Sequence, residues 1–337
     1  MKREIPNKAF DYIREVLHSG ILSSRYGDMA HRFEQAFAEK KGANFAIAVN
    51  SGTSALFVAL KACGIGPGDE VIVPALGPTM TAAAVTHCGA LPVFADIDPE
   101  TYCIAPNSFR SGTVTTSTKA ILPVHVFGNS CQMGEIVEIA QYRKHYLRGM
   151  RLVPRKPIFV IEDCAQAIGL GGQGDIACYS FEQSKHICCG DGGMATTNDP
   201  ELAKKMRQWS DGGVTCMNAL DGRWNGRVEF DCPGYNLRMP EIVAAIGMAQ
   251  MEQFDERPRH FTKYIENEQD KFKMAFITYG VEHNRGPWEK LVYQHKIFGA
   301  QKGLCPVAEK IHPDLFVFPQ SEKNLVEKVM EHVKSTP

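Results

Sequence analysis

Residues 158–193 read IFVIEDCAQAIGLGGQGDIACYSFEQSKHICCGDGG. Four apolar residues, Ile158 to Ile161, run directly into Glu162 and Asp163, and a second apolar run ends at Tyr179-Ser180-Phe181 ahead of Lys185. A short apolar run bounded by acids predicts a buried strand, and parallel α/β sheets gather ligands at the carboxyl ends of their strands. Asp163 and Lys185 are therefore expected to face one ligand. An acid beside an aromatic nitrogen and a lysine able to form an imine are what pyridoxal phosphate chemistry requires.

Either residue alone carries little weight, because a lysine is usually a solvated charge and an aspartate after a strand usually caps a turn. Gly169-Leu170-Gly171-Gly172-Gln173-Gly174 matches the G-x-G-x-x-G pattern of dinucleotide sites. That fingerprint needs its glycines to open a helix. Ile176 to Phe181 reads instead as strand, which excludes it.

The stretch resembles the DegT/DnrJ/EryC1/StrS family of sugar aminotransferases, fold type I pyridoxal phosphate enzymes. The family's acid-bearing block stands here as Glu162-Asp163-Cys164-Ala165-Gln166-Ala167-Ile168-Gly169. Its lysine block stands as Ser180-Phe181-Glu182-Gln183-Ser184-Lys185, followed by Gly190-Asp191-Gly192-Gly193. Two blocks in order and at family-like separation outweigh either one alone.

With 337 residues, 44% hydrophobic content and a formal net charge of −1, the chain reads as an ordinary soluble α/β protein with a smaller appended domain. The charge balance gives no sign of a nucleic acid partner, and no apolar run is long enough to span a bilayer. The first residues, MKREIPNKAFDYIREV, lack the apolar stretch of a signal peptide. The eleven cysteines include no C-x-x-C pair, and several sit in apolar runs (Cys63, Cys88, Cys164, Cys178), as expected of reduced core residues in a cytoplasmic protein. Cys188-Cys189 has no zinc-like spacing, and no metal site is expected.

From the start of the chain, Phe10, Ile13, Val16 and Leu17 predict one amphipathic helix, and Phe33, Phe37 and Ala38 a second. Phe45–Val49 reads as a strand that breaks into Asn50-Ser51-Gly52-Thr53-Ser54 before a helix. Small residues at a helix start leave N–H groups free for an anion, although an ordinary N-cap gives the same pattern. The resemblance makes this the family's phosphate-binding turn, with Gly52 and Thr53 in contact. Strands at residues 71–74, 92–98 and 120–128 alternate with helices, predicting a mainly parallel sheet covered on both faces. Many relatives stack an aromatic residue on the cofactor shortly after the position of Pro74. This chain has Ala75-Leu76-Gly77-Pro78-Thr79-Met80 there, so Pro78 or Met80 would have to cover the ring.

Residues 141–157 carry a dense positive run, expected as a solvated face, with contact to an anionic substrate group as the sharper alternative. Tyr235-Asn236-Leu237-Arg238-Met239-Pro240-Glu241 matches the family's N-x-R-M-x-E segment. The resemblance there implies that Asn236 reaches the cofactor phosphate of a second subunit in a homodimer with shared sites; by itself an asparagine there reads as a turn residue. After Phe254 regular patterning is sparse until a last helix at Asn324–Val333.

The resemblance thus implies an aspartate aminotransferase-like (fold type I) large domain over 1–240, its mainly parallel central sheet sandwiched by helices. A shortened C-terminal α+β domain would cover 241–337. Lys185 would tether pyridoxal 5'-phosphate as a Schiff base and Asp163 would pair with its ring nitrogen. Gln166 would lie near the ring hydroxyl, and Ser180 would join Gly52 and Thr53 at the phosphate. The implied reaction moves an amino group from L-glutamate to a keto sugar, often nucleotide-linked, for surface glycans or glycosylated metabolites. A pyridoxal phosphate-dependent sugar dehydratase, which in some relatives has histidine in place of the lysine, is the alternative; a non-catalytic binding protein on the same fold is a third.

Overall fold

The computed structural model describes residues 5–110, 113–142, 158–215, 229–253, 264–266, 273–277, 290–299, 303–311 and 315–319. Most of the positive run at 141–157 and the helix expected at Asn324–Val333 lie outside the described residues. A seven-stranded sheet carries the fold. Its strands are β1 (Phe45–Val49), β2 (Glu70–Pro74), β3 (Leu91–Ala95), β4 (Thr118–Ile121), β5 (Phe159–Asp163), β6 (Ile176–Ser180) and β7 (Gly193–Thr197), ordered β1-β7-β6-β5-β4-β2-β3. The ladders from β6 across to β3 are parallel, while β7 runs antiparallel to both β6 and β1. β1 therefore points the same way as β6, and the carboxyl ends of β1, β2, β5 and β6 share one edge.

Helices cover both faces, as near-continuous apolar strands require. One core cluster packs α3 (Gly52–Ala62), α4 (Thr79–His87), the short α5 (Asn107–Arg110), α6 (Met133–Tyr142) and α7 (Pro200–Ser210) on one face. The other joins α1 (Asn7–Ser19), α2 (Met29–Lys41) and α8 (Glu241–Glu252). Phe33 and Phe37 of α2 meet Phe181 and Tyr179, with ring centroids 5.3 and 5.0 Å apart. Asp199 caps α7 by accepting the N–H of Glu201 at 2.7 Å, with Pro200 at the first helical position. At the sheet edge, the Ala48 N–H is satisfied by Glu34 of α2 at 2.7 Å, and the same carboxylate grips both terminal nitrogens of Arg207 at 2.7 Å each. An acid thus closes an edge that would otherwise offer free backbone donors.

Two expectations change. α1 buries Ala9, Tyr12 and Val16, whereas Phe10 and Leu17, expected on its inner face, are 57% and 55% exposed. A helix with apolar residues on more than one face cannot bury them all against one neighbour. The regular strand expected to run to residue 128 ends at Ile121, although Leu122 to His125 still bond Ile72 and Asp163, and the chain turns away at Phe127, at φ +55°, whose N–H goes to Gln166. α4 begins at Thr79, which puts Thr81 in its first turn.

Beyond α8 a three-stranded sheet forms from Tyr264–Glu266, Lys273–Ile277 and Leu315–Pro319, where the sequence offered little patterning. Parts of this region dock on the large sheet. Val292 donates its N–H to Ala75 O at 3.0 Å, and Asp96 accepts the N–H groups of Val307 and Ala308 at 2.8 and 2.9 Å, capping the short helix Pro306–Ile311. The ten described cysteines form no disulfide, and burial pushes the thiols of Cys164 and Cys178 well above the ordinary range.

Candidate active site

The carboxyl ends of β1, β5 and β6 bring the expected residues to one edge of the sheet. Asp163 closes β5 and is 2% exposed. Thr81 donates its hydroxyl to Asp163 Oδ2 at 2.7 Å, and the Ala165 N–H donates to Oδ1 at 3.0 Å. Burial pushes this carboxyl upward, against the pull of those two donors and of the charge on Lys185. Lys185 lies half-buried in the loop after β6, its N–H on Glu182 O at 2.8 Å. Burial pulls its amine below the ordinary lysine range, while the charges of Glu182 and Asp163 oppose that. A buried acid and a partly desolvated amine that feel each other's charge are an arrangement that recurs at functional sites.

Ser51 caps α3 by accepting the Ser54 N–H at 3.1 Å, which leaves Gly52 and Thr53 as its first two residues. The turn is packed against β6 and β7 by glycines. A Cβ on Gly52 would lie 2.7 Å from Ser180 Cβ and 3.0 Å from its Oγ; one on Gly193 would lie 2.3 Å from Ser51 O. Gly193 pairs with Val49 on one side and Ser180 on the other, so the turn and Ser180 are held as neighbours. The start of an eleven-residue helix, bare backbone and a hydroxyl form a cradle suited to a phosphate.

Gln166 is 9% exposed, and its Oε1 accepts the Phe127 N–H at 2.8 Å. Because that donor is fixed, the amide orientation is fixed too, and its NH2 remains to donate. Asn236 stands apart from these residues. It is exposed on an extended segment whose Leu237 O accepts the Asn50 N–H at 2.8 Å and whose Leu237 N–H donates to Ser210 O at 2.9 Å.

Glu162 turns to the opposite face from Asp163, as successive strand residues must. It is fully buried, and its Oε1 accepts the N–H groups of Gln173 and Gly174 at 2.8 and 2.7 Å. His125 Nε2 lies 3.0 Å from Oε2, and its Nδ1 accepts the Cys131 N–H at 3.1 Å, which places the proton on Nε2. Burial alone would raise the Glu162 carboxyl; these hydrogen bonds hold it below the ordinary range. The glycine-rich loop is thus a structural turn tied to an acid, and strand β6 follows it. His125, Glu162 and Cys164 come close enough together to hold a cation. Both histidine nitrogens are already engaged, so the trio reads as a hydrogen-bonded brace.

Sequence reasoning missed Thr81 and His125. The one signal for Thr81 was a polar residue at the start of an otherwise apolar helix, and nothing marked His125 beyond a histidine inside an apolar run.

The sequence profile described as the DegT/DnrJ/EryC1/StrS aminotransferase family matches residues 3–297. The chain is 44% identical over 253 residues to the GDP-perosamine synthase of Caulobacter vibrioides, covering 73% of this chain and 62% of that protein's length. Its fold matches an X-ray structure of the aminotransferase from Psychrobacter cryohalolentis with a TM-score of 0.79 and 26% identity, over 98% of this chain and 96% of that one. NtdA from Bacillus subtilis, crystallised with bound cofactor PMP, is 34% identical with a TM-score of 0.61, over 74% of this chain and 54% of its own.

Proposed function

Because the chain belongs to the DegT/DnrJ/EryC1/StrS aminotransferase family, we propose that it is a pyridoxal 5'-phosphate-dependent aminotransferase that moves an amino group from L-glutamate to a keto sugar. The pairing of a buried Asp163 with a desolvated Lys185 beside the Gly52–Ser180 cradle carries this reading. Likeness to a GDP-perosamine synthase favours a nucleotide-linked acceptor and an amino sugar product destined for surface polysaccharide. The enzyme works in the cytoplasm as a homodimer in which Asn236 reaches the partner's cofactor phosphate. Residues 1–240 form the cofactor-binding domain, and 241–337 the smaller one. Among the described residues no helix is long and apolar enough to cross a membrane.

The residues fit the cofactor. Gly52 and Thr53 would offer backbone N–H groups and Ser180 its hydroxyl to the phosphate, where any side chain at position 52 would intrude. Asp163, held from both sides by Thr81 and Ala165, would keep a ring nitrogen protonated; the arriving positive charge offsets the burial that now pushes its carboxyl up. Gln166 would donate from its NH2 toward the ring hydroxyl. When bound, the cofactor supplies an electron sink for the substrate's α-carbon. Lys185 would take a proton from the donor's α-carbon and deliver one to the acceptor's former carbonyl carbon. An amine pulled below its ordinary range is neutral more often near pH 7 and so better able to do this. Lysine rather than histidine at this position weighs against the dehydratase reading.

Two measurements test the proposal. Borohydride reduction of the purified protein followed by peptide mass mapping is expected to find the cofactor on Lys185. Added glutamate is expected to release 2-oxoglutarate and bleach the cofactor absorbance. A tag on another residue, or none, overturns the reading.

A further inference from the structure

Pro123 to Cys131 grips the end of β5 at several points in succession. Pro123 O accepts the Asp163 N–H at 2.8 Å, and the His125 N–H donates back to Asp163 O at 3.1 Å. The fully buried His125 ring then reaches two ways: Nε2 donates to Glu162 Oε2 at 3.0 Å, and Nδ1 accepts the Cys131 N–H at 3.1 Å. This last bond joins residues 125 and 131 and closes a loop. Phe127 lies inside the loop and donates its N–H to Gln166 Oε1 at 2.8 Å.

The backbone inside that loop is held in a conformation it would not choose. Among the described residues two other than glycine have positive φ, Tyr102 at +60° and Phe127 at +55°. Their rings meet edge to face, with centroids 6.3 Å apart. A bulky L-residue leaves the left-handed region unless its surroundings keep it there. Here the Tyr102 ring holds the Phe127 side chain, and the His125–Cys131 bond ties the chain on either side of it. The N–H so held gives Gln166 one orientation, with its oxygen toward Phe127 and its NH2 left to donate.

We infer that His125 is a positioning residue for Gln166, acting through the bond to Cys131 that closes the loop around Phe127, while its bond to Glu162 serves the fold. That the Gln166 NH2 then meets a cofactor's ring hydroxyl rests on the aminotransferase reading; the chain of bonds from His125 to Gln166 does not.

Two substitutions separate the two arms of the ring. His125→Asn keeps an acceptor near the place of Nδ1 and loses the donor to Glu162, whereas His125→Gln keeps a donor near the place of Nε2 and loses the acceptor for Cys131. The first readout is the absorbance of the cofactor-loaded protein against pH, which follows the proton on the tethered Lys185 nitrogen. A donor at the ring hydroxyl draws charge from its oxygen and loosens that proton, so losing the donor raises the midpoint, by about one pH unit for one hydrogen bond to a charged oxygen. Gln166→Ala and His125→Gln are both expected to show the rise. His125→Asn is expected to keep the wild-type midpoint and to unfold at lower urea, as no purely stabilising brace would allow. His125→Gln at the wild-type midpoint, or both histidine variants raised alike, overturns the inference and leaves the contact of Gln166 with the cofactor standing. Gln166→Ala at the wild-type midpoint refutes that contact instead.

Amide hydrogen exchange of the cofactor-free proteins then decides the inference without the cofactor. Segment 126–131 is expected to be protected in wild type and in His125→Asn, and to exchange about tenfold faster or more in His125→Gln, the loss of one hydrogen bond. Equal protection in all three proteins overturns the inference. If neither histidine variant folds, the wild type still answers: a Phe127 N–H that exchanges as fast as an exposed loop amide overturns it.

Discussion

Thr81 in the first turn of α4 hands its hydroxyl proton to Asp163 at the end of β5, 2.7 Å away, so the acid's orientation is set by a helix that follows a different strand. With the Ala165 N–H on its other oxygen, the carboxylate is held in place before any ligand arrives. Such preorganisation places a buried charge where the fold alone gains nothing from it.

Replacing Asp163 by Asn should therefore separate stability from activity. Burial raises its folded-state value above the unfolded value of about 3.9. Its contribution to stability is fully present below that pH and is lost as pH rises through the folded value. In cofactor-free protein the variant should be at least as stable as wild type at pH 7, with the gap closing toward acid, while turnover falls about a hundredfold or more. Thermal unfolding across pH, beside a glutamate-coupled assay, measures both. Parallel pH curves for the two proteins would refute the burial argument.

Lys185→Ala should reduce turnover by about a hundred- to ten-thousandfold while the fold survives. In the wild type the rising limb of the rate profile should reflect an amine titrating below the usual lysine value of about 10.4. Because Glu182 pulls that amine upward, Glu182→Gln should move the limb to lower pH. A limb that stays put or moves up would show that the two charges do not communicate.

Gly52→Ala adds a methyl 2.7 Å from Ser180 Cβ. Overpacking on that scale costs about 1–3 kcal/mol, so cofactor affinity should fall roughly tenfold to a hundredfold with little change in the circular dichroism of the free protein. Equilibrium dialysis against the cofactor gives the number, and wild-type affinity would mean that this turn does not hold the phosphate.

Glu34→Gln removes the charge that pairs Arg207. Leaving one half of a buried pair unmatched costs about 3 kcal/mol or more, read as a lower urea midpoint. Burial alone would raise the Glu34 carboxyl, but Arg207, His31 and the Ala48 N–H hold it below the ordinary range. Its stabilisation is therefore present above the unfolded value of about 4.3 and drains away as pH falls through the lower folded value. Acid titration of stability should show that loss in wild type and its absence in the variant.

Much of this was legible in the chain itself. The runs ending at Asp163 and Ser180, and the break after Val49, each mark a strand whose last residue must meet the ligand edge. Pattern marked Asp163 and Lys185, and the family resemblance added Gly52, Thr53 and Ser180. What escaped depended on contacts between distant segments. Thr81 and His125 acquire their roles only once α4 and the turn at Val126–Gly128 lie against β5. Phe10 and Leu17 show the converse: their spacing predicts a helix correctly, but which face turns inward is decided by the surfaces available to pack on. The strands beyond α8 carry no strong alternation, and their existence had to come from pairing with one another.

β7 enters the sheet against the direction of its neighbours, so its first residue, Gly193, wedges between Val49 and Ser180. During synthesis, Ser51 and Gly52 leave the ribosome long before the strand that seats them. A nascent chain ending ahead of residue 193 lacks the strand that joins β1 to β6, so nothing holds the turn after Val49 beside Ser180. Competence at this edge arrives late, as a single closing event.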